Sequence, residues 1–379
     1  MSRGTGHPAN TQRARWLLPG VGLGVLLFAV GAATVFRGEL AHWLFERQAS
    51  QRAQFDRMAQ LEPGLHVAFC GTGAPLPDPS RAESCAVVIA GEAIFVIDSG
   101  SGSTSNITLM GLPADKIQAV FLTHFHSDHI ADLGNLALQR WVNGAHTTPL
   151  SVIGPTGVEQ VVQGFNQAYA LDQIYRPAHH GEHIVPPAGA GLAALPFQLP
   201  ERTTSSSDET AITVYGDNGV SVTALRVDHD PADPAVAYRF EYAGRSVVFS
   251  GDLIVGRSAG FQAFARGADL LIIEGLQPAM LEIIERNVIA RGDPNLGVIM
   301  RDVLDYHTTP EQAAELAQHA GVGALLINHV VPPVPNSILE AAFLRNAPSL
   351  FSGTVRVARD GMAVTLPLQS EEIRMQSWF

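Results

Sequence analysis

The sequence predicts an α/β fold in which two β-sheets pack face to face between outer layers of helices, a four-layer αββα sandwich. Short apolar runs bounded by glycine and proline recur along the chain and indicate strands, and segments with helical periodicity follow them. This succession occurs twice, which indicates two sheets. Between the halves lie residues 176–210, which are rich in Pro, Gly, Ala and Ser and are expected to form an inserted surface loop.

The individual elements follow from the same patterns. In the first half, apolar runs predict strands at residues 65–70, 85–90, 93–97, 119–123 and 150–153. Longer stretches with apolar residues three and four apart predict helices at residues 128–142 and 156–169. In the second half, apolar runs predict strands at residues 212–215, 220–227, 235–242 and 246–250.

The composition limits the partners of the chain. Of its 379 residues, 46% are hydrophobic, which is enough apolar material for one large core or two modest ones. The net charge of −12 gives no sign of the clustered basic residues that nucleic-acid phosphates require, so we expect a small-molecule substrate and no nucleic-acid partner. The two cysteines, Cys70 and Cys85, are too few for a disulfide framework and are expected to be buried thiols. The sequence leaves open whether the chain forms homo-oligomers.

The N-terminal region predicts a membrane anchor. Residues 16–36 carry no charge, and this length matches the roughly 20 residues that cross a bilayer as a helix. Arginines precede this run, which by the positive-inside rule keeps residues 1–15 in the cytoplasm. We therefore predict a single-pass transmembrane helix, a helical connector at residues 37–63, and a main domain at residues 64–379 on the periplasmic or extracytoplasmic side. A cleavable signal segment is the alternative.

Potential metal ligands are concentrated in the segment His124-Phe125-His126-Ser127-Asp128-His129. An apolar strand precedes this segment and a predicted helix follows it. His124 and His126 are two residues apart in an extended chain and project the same way. The turn into the helix directs Asp128 and His129 towards a neighbouring point, so the segment can serve two metals. Imidazole and carboxylate ligands without thiolate suit zinc, with manganese, iron and cobalt as alternatives.

With these residues in place, the sequence resembles the metallo-β-lactamase superfamily, specifically its ribonuclease Z and arylsulfatase-like branch. The resemblance runs from about residue 66 to residue 366 and rests on short motifs in a fixed order. These motifs are Gly71-Thr72-Gly73, Asp98-Ser99-Gly100, His124 to His129, Gly154-Pro155-Thr156-Gly157, Val227-Asp228-His229, Ser250-Gly251-Asp252 and Asn328-His329. The resemblance implies the metallo-β-lactamase form of the αββα sandwich.

The resemblance also implies a centre of two zinc ions. One ion would take His124, His126 and His229. The other would take Asp128, His129 and His329, with Asp252 bridging the two. Such a ligand set leaves each zinc an open position for a shared hydroxide, because bound zinc lowers the pKa of water towards about 7.

A further segment, residues 306–314, resembles the part of ribonuclease Z whose histidine assists near the metals. Thr309 as N-cap and Gln312 as its capping-box partner predict a helix start here. This would fix His307, whose imidazole could stabilise an oxyanion or protonate the leaving oxygen. His307 and Asp128 are therefore the candidate catalytic residues. A purely structural role near the cap is the alternative for His307.

Two acidic residues are candidates for support of the centre. Asp98 is implied by the resemblance to hold the metal-binding loop, and Glu274, at the end of a predicted strand, is expected to orient a ligand histidine. His179, His180 and His183 lie in the predicted inserted loop. Their role stays open between lining the substrate entrance, binding an ion, and simple solvation.

The resemblance implies a metal-dependent hydrolase of ester bonds that uses a metal-bridging hydroxide and no other cofactor. We expect a sulfate or phosphate ester of a small molecule, because the short interval between His229 and Asp252 has no room for the RNA-binding arm that ribonuclease Z would insert there. Three alternatives stay open. They are a ribonuclease Z-type endonuclease acting at the 3′ end of transfer RNA, a lactonase or β-lactam hydrolase, and a non-catalytic, metal-stabilised, membrane-tethered binding protein.

Overall fold

The computed structural model describes Met1 and residues 37–201, 210–258 and 260–379. The chain divides into two units, Met1–Phe55 and Asp56–Phe379. In the first unit, residues 37–53 form helix α1, whose side chains are exposed. This helix overlaps the connector predicted at residues 37–63, whose exact bounds stay a prediction.

The prediction that the fold includes an N-terminal transmembrane helix is wrong. Its residues, 16–36, lie outside the described part of the chain, and no described helix is both long enough and apolar enough to cross a membrane. Helix α1 carries charges along its length, among them Glu39, Arg47 and Arg52. The fold class is therefore corrected to an αββα sandwich, with no membrane-spanning helix among the described residues. The membrane partner and the single-pass, extracytoplasmic location depended on that helix and are withdrawn with it.

In the described part of the second unit, the first sheet has eight strands. In chain order they are β1 (Gly64–Gly71), β2 (Cys85–Ala90), β3 (Ala93–Ile97), β4 (Ile117–Phe121), β5 (Leu150–Pro155), β6 (Leu192–Phe197), β14 (Met362–Pro367) and β15 (Arg374–Ser377). Their spatial order is β15-β14-β1-β2-β3-β4-β5-β6. Strands β3 to β6 are parallel, so their carboxyl ends meet at one edge. Asp98 and His124 follow β3 and β4 at that edge.

The second sheet has seven strands among the described residues. They are β7 (Ile212–Asp217), β8 (Val220–Val227), β9 (Ala235–Tyr242), β10 (Arg245–Phe249), β11 (Leu270–Leu276), β12 (Ala324–Val331) and β13 (Thr354–Val357). Their spatial order is β13-β12-β11-β10-β9-β8-β7, and β10 to β13 are parallel. This arrangement brings Asp252, which follows β10, and His329, which lies in β12, to the same edge.

Helices lie around the two sheets. They are α2 (Ser103–Leu109), α3 (Ser127–Ile130), α4 (Leu133–Gly144), α5 (Val158–Ala168), α6 (Ala170–His180), α7 (Phe261–Phe264), α8 (Pro278–Ala290), α9 (Pro294–Asp302), α10 (Pro310–Ala320), α11 (Ser337–Leu344) and α12 (Ala347–Leu350). One apolar cluster joins α2, α4 and α5 to the first sheet, and another joins α7, α10 and α11 to the second. A third cluster fills the space between the sheets. The αββα layering predicted from the sequence is thereby confirmed.

Two predicted segments differ from the structure. The helix expected at residues 128–142 is two helices, α3 and α4, because the chain bends at Asp132. The loop expected at residues 176–210 contains the end of α6 and the whole of β6, while residues 202–209 lie outside the described part. Strand β6 carries Pro196, which obscures its pattern but is tolerated because β6 is the edge strand of its sheet.

The prediction that the two cysteines are buried thiols is also wrong. Cys70 at the end of β1 and Cys85 at the start of β2 form a disulfide with Cα atoms 5.0 Å apart. Neighbouring antiparallel strands provide this separation, which suits a disulfide. The pairing could not be read from two cysteines fifteen positions apart, because it depends on the register of the strands.

An aromatic cluster holds the two sheets together. The ring of Phe121 on β4 lies 5.1 Å from that of Phe240 and 5.4 Å from that of Tyr238, both on β9. The rings of Phe95 and Tyr215 each lie 6.0 Å from the Phe121 ring. Edge-to-face pairs at these distances add to the stabilisation from burial, so Phe121 is a central contact of the core.

Replacement of Phe121 should therefore destabilise the fold. We expect Phe121→Ala to lower the free energy of unfolding by about 3–5 kcal/mol, because it leaves a cavity among four aromatic rings. Urea denaturation followed by tryptophan fluorescence measures this loss. Leu109→Ala, at a side chain that is 57% exposed, is the control and should stay within about 0.5 kcal/mol of the parent. Equal stabilities of the two variants would contradict the role of the cluster.

Candidate metal centre

The first group of ligand atoms contains three histidines and one aspartate. His124 and His126 lie in the extended segment between β4 and α3, and His229 follows β8. His124 Nε2 lies 3.0 Å from His126 Nδ1, and His229 Nε2 lies 3.4 Å from the same nitrogen. One ligand atom from each of these residues and from Asp252 lies within 4.8 Å of the others. A single divalent ion can be held by such a group.

The second group consists of Asp128, His129 and His329. Asp128 Oδ2 lies 3.0 Å from His329 Nε2 and 3.5 Å from His129 Nε2. The first turn of α3 supplies the aspartate and one histidine, and β12 supplies the other. His329 has a φ of 44°, a left-handed conformation that is uncommon for non-glycine residues.

Asp252 lies between the two groups. Its Oδ2 is 3.8 Å from His229 Nε2 and 3.9 Å from His124 Nε2 on one side. On the other side, the same oxygen is 3.5 Å from His129 Nε2 and 3.3 Å from His329 Nε2. A single carboxylate is thus within reach of both groups.

Asp98 holds the metal-binding segment in place through hydrogen bonds to Thr123 and His129. Its Oδ1 accepts a hydrogen bond from the Thr123 backbone N–H at 2.8 Å, and its Oδ2 accepts from Thr123 Oγ1 at 2.8 Å. His129 Nδ1 also lies 2.8 Å from that Oδ2 and donates to it. This bond turns His129 Nε2 towards the cluster, which is the usual function of a carboxylate behind a ligand histidine.

Sequence analysis missed the group that orients His229. The Nδ1 of this histidine lies 3.0 Å from the backbone carbonyl oxygen of Tyr306, so the nitrogen donates and Nε2 faces Asp252. A backbone carbonyl has no side-chain signature, and Tyr306 is far away in sequence. The only available signal was its position next to His307.

Glu274 contacts His307 and not one of the predicted ligand histidines. Its Oε2 lies 3.0 Å from His307 Nδ1, and its Oε1 accepts a hydrogen bond from the Thr308 backbone N–H at 2.9 Å. Burial raises the pKa of Glu274, although the His307 imidazole opposes the shift. The predicted N-cap of α10 is confirmed, because Thr309 and Gln312 form the capping box. His307 also forms a third group of ligand atoms with Asp252 and His329.

The electrostatics of the cluster favour a cation. Burial lowers the pKa of His124 well below its usual range, and it lowers the pKa of His229 to about 4 against the effect of the Asp252 carboxylate. Burial acts in the same direction on His329, but the Asp252 and Asp128 carboxylates outweigh it and raise the pKa to about 9. His129 Nε2, Asp252 Oδ1 and His329 Nδ1 have no hydrogen-bond partner among the described residues. Buried donors and acceptors of this kind suit coordination of a divalent metal.

The remaining predicted histidines lie elsewhere. His179 and His180 occupy the last turn of α6, and His183 follows it. All three are exposed, and none belongs to a ligand group among the described residues.

Comparison with known proteins gives the family. The sequence model of the metallo-beta-lactamase superfamily matches residues 79–315. Ribonuclease Z of Mycolicibacterium gilvum is 36% identical over 270 residues, which cover 71% of this chain and 85% of that protein. Ribonuclease Z of Mycobacterium bovis is 34% identical over 299 residues, which cover 78% of this chain and 96% of that protein.

Solved structures agree with the fold. The short form of human tRNase Z superposes with a TM-score of 0.55 at 21% identity, covering 80% of this chain and 99% of that one. The metallo-beta-lactamase fold protein YhfI of Bacillus subtilis gives a TM-score of 0.54 at 23% identity, with coverage of 80% of this chain and 100% of that one. At these identities the likeness concerns the fold.

The relatives correct one prediction and confirm another. The exclusion of a nucleic-acid partner was wrong, because relatives that share a third of their residues with this chain are named ribonuclease Z. A net charge sums the whole surface and does not describe the groove where a substrate binds. The predicted ester hydrolase is confirmed. This chain belongs to the metallo-beta-lactamase superfamily, as a metal-dependent hydrolase of its ribonuclease Z-like branch.

Proposed function

We propose that this protein is a ribonuclease Z-type endonuclease that hydrolyses a phosphodiester bond near the 3′ end of transfer RNA. The observation that carries the proposal is the position of the Asp252 carboxylate, whose Oδ2 lies 3.3–3.9 Å from imidazole nitrogens of both ligand groups. A pair of metal sites that share a carboxylate suits displacement at phosphorus. The names of the relatives at 34–36% identity support RNA over a small sulfate or phosphate ester.

The centre would hold two zinc ions. One would be bound by His124, His126 and His229. The other would be bound by Asp128, His129 and His329, and Asp252 would serve both. Imidazole and carboxylate donors without thiolate fit zinc, and three protein ligands with a shared carboxylate are typical of hydrolytic zinc sites. When bound, the metals would polarise the phosphoryl oxygens and lower the pKa of a coordinated water.

The side chains around the metals would have separate tasks. Asp98 would hold His129 in the tautomer that leaves Nε2 free to bind, and the Tyr306 carbonyl would do the same for His229. Because His307 Nδ1–H would donate to the Glu274 carboxylate, Nε2 would be the nitrogen that exchanges a proton with the substrate. His307 would then donate the proton to the departing ribose oxygen.

The proposal predicts metal-dependent cleavage of RNA. The zinc-loaded protein should cut a transfer RNA precursor with a 3′ extension, and chelator treatment should abolish the cleavage until zinc is restored. Denaturing gel electrophoresis of an end-labelled precursor measures both steps. Faster hydrolysis of 4-nitrophenyl sulfate than of the precursor, with the metal fully loaded, would overturn the proposal in favour of a small-molecule ester.

Removal of the shared carboxylate should empty the centre. We expect Asp252→Ala to lower zinc content by at least one ion per chain and to remove the activity, because both ligand groups lose a contact within 4 Å. Elemental analysis of the dialysed protein measures the zinc. Asp217→Ala, which removes an exposed carboxylate at the end of β7, is the control and should keep both. Full zinc content in folded Asp252→Ala would exclude the bridging role.

His307 should affect turnover without affecting the metal. We expect His307→Ala to lower kcat by roughly 10²–10⁴-fold, the usual range for a positioned acid or base, with zinc content unchanged. The loss should shrink when the leaving group is a nitrophenol, since an acidic leaving group needs little protonation. Steady-state kinetics on two phosphodiesters, together with elemental analysis, measures the effect.

The control for this experiment is His319→Ala, which changes an exposed histidine in the same region, on α10. It should leave kcat unchanged. Loss of zinc in His307→Ala would instead make His307 a ligand of the third group, with Asp252 and His329. Normal turnover on a poor leaving group would remove His307 from the mechanism.

A further inference from the structure

Helix α9 presents an apolar stripe beside the candidate metal centre. Leu296, Ile299, Met300 and the following Val303 are spaced three, four and seven residues apart from the first, so they lie on one face of the helical segment. The stripe has no counterpart in the motifs that identify the family. It therefore calls for its own explanation.

The stripe lines a cavity of about 230 Å³ that opens onto the ligand cluster. The lining includes Asp128, Asp252, His307 and His329 from the candidate centre. Its apolar part includes Leu76, Leu296, Ile299, Met300, Val303 and Val331, and Tyr306 adds an aromatic ring. A group attached to an ester held at the centre would extend along this apolar part.

The exposure of the stripe shows that it borders an open site. Met300 is only 3% exposed, whereas Ile299, the next residue, is 52% exposed. None of the described residues that line the cavity is a lysine or arginine. The stripe therefore offers a substrate apolar contact, and it does not attract phosphates through fixed positive side chains.

We propose that the α9 stripe is a specificity wall that receives a flat, uncharged ring flanking the scissile ester. This inference rests on the proposed phosphodiester hydrolysis. The cavity size fits one ring, because an apolar cavity of about 150 Å³ already accommodates benzene. Met300 supplies a flexible, polarisable contact for a ring, and Tyr306 supplies a stacking surface. A nucleobase and a synthetic aryl group share this chemistry.

Binding of simple probes tests the wall without turnover. On the zinc-loaded protein, phenyl phosphate should bind roughly tenfold or more tightly than methyl phosphate, measured by titration calorimetry, since apolar contacts of this size contribute that much selectivity. Ile299→Ser should remove most of this preference. Equal binding of the two phosphates by the parent protein would overturn the wall, whatever the fate of the proposed function.

Helix α9 contains its own matched control. Val298 is 50% exposed, close to the value for Ile299, but it does not line the cavity. Val298→Ser should therefore keep the preference for phenyl phosphate within about twofold of the parent. The same loss in both variants would assign the effect to the helix as a whole and would also overturn the wall.

Turnover distinguishes the two sources of the ring. The substrates are methyl 4-nitrophenyl phosphate, bis(4-nitrophenyl) phosphate and thymidine 5′-(4-nitrophenyl phosphate). If the wall receives a nucleobase, Ile299→Ser should lower kcat/KM roughly tenfold for the thymidine compound and little for the methyl compound. A loss confined to the bis-aryl compound would assign the wall to an aryl ester. An unchanged kcat/KM of Ile299→Ser for all three substrates would overturn the wall, whereas failure of the parent protein to cut the transfer RNA precursor would overturn the proposed function alone.

Discussion

The burial of carboxylates and imidazoles at one edge of the sandwich is the constraint on which the rest of the structure depends. Asp252 is 2% exposed and Asp128 is 3% exposed, and charged groups this deeply buried are costly unless oppositely charged or coordinating partners surround them. The parallel strands of the two sheets end at this edge and bring the partners from distant parts of the sequence. The fold thus brings together ligand residues that no single segment of the sequence could provide.

Support for this cluster extends well beyond the ligand atoms. The carboxylate of Asp360, in the turn between β13 and β14, accepts hydrogen bonds from Thr72 and Ala82, which hold the loop after β1. The carbonyl oxygen of Thr72 in turn accepts from Val330 N–H, next to His329. These hydrogen bonds form a continuous series, so the orientation of His329 is tied to the connection between the first and second sheets.

The sequence predicted best what depends on neighbours in the chain. Residues 85–90, 93–97, 220–227 and 235–242 were predicted as strands with the bounds that the structure has, because turn residues delimit continuous apolar runs. The proximity of His124, His126 and Asp128 followed from their spacing. The Tyr306 carbonyl, the Asp360 contacts and the Cys70–Cys85 disulfide could not be predicted, since each depends on the register between segments far apart in sequence.

The net charge does not exclude a nucleic-acid substrate, and the proposed apolar wall supplies a physical reason. A charge of −12 opposes binding that depends on neutralising many phosphates, but it does not oppose recognition of a single base or ring by Ile299 and Met300. Stacking and apolar contact act over a few ångströms and are insensitive to distant surface charge, which salt screens. An acidic protein can therefore place one ester at its metals, provided that the flanking ring, and not the phosphate chain, supplies the affinity.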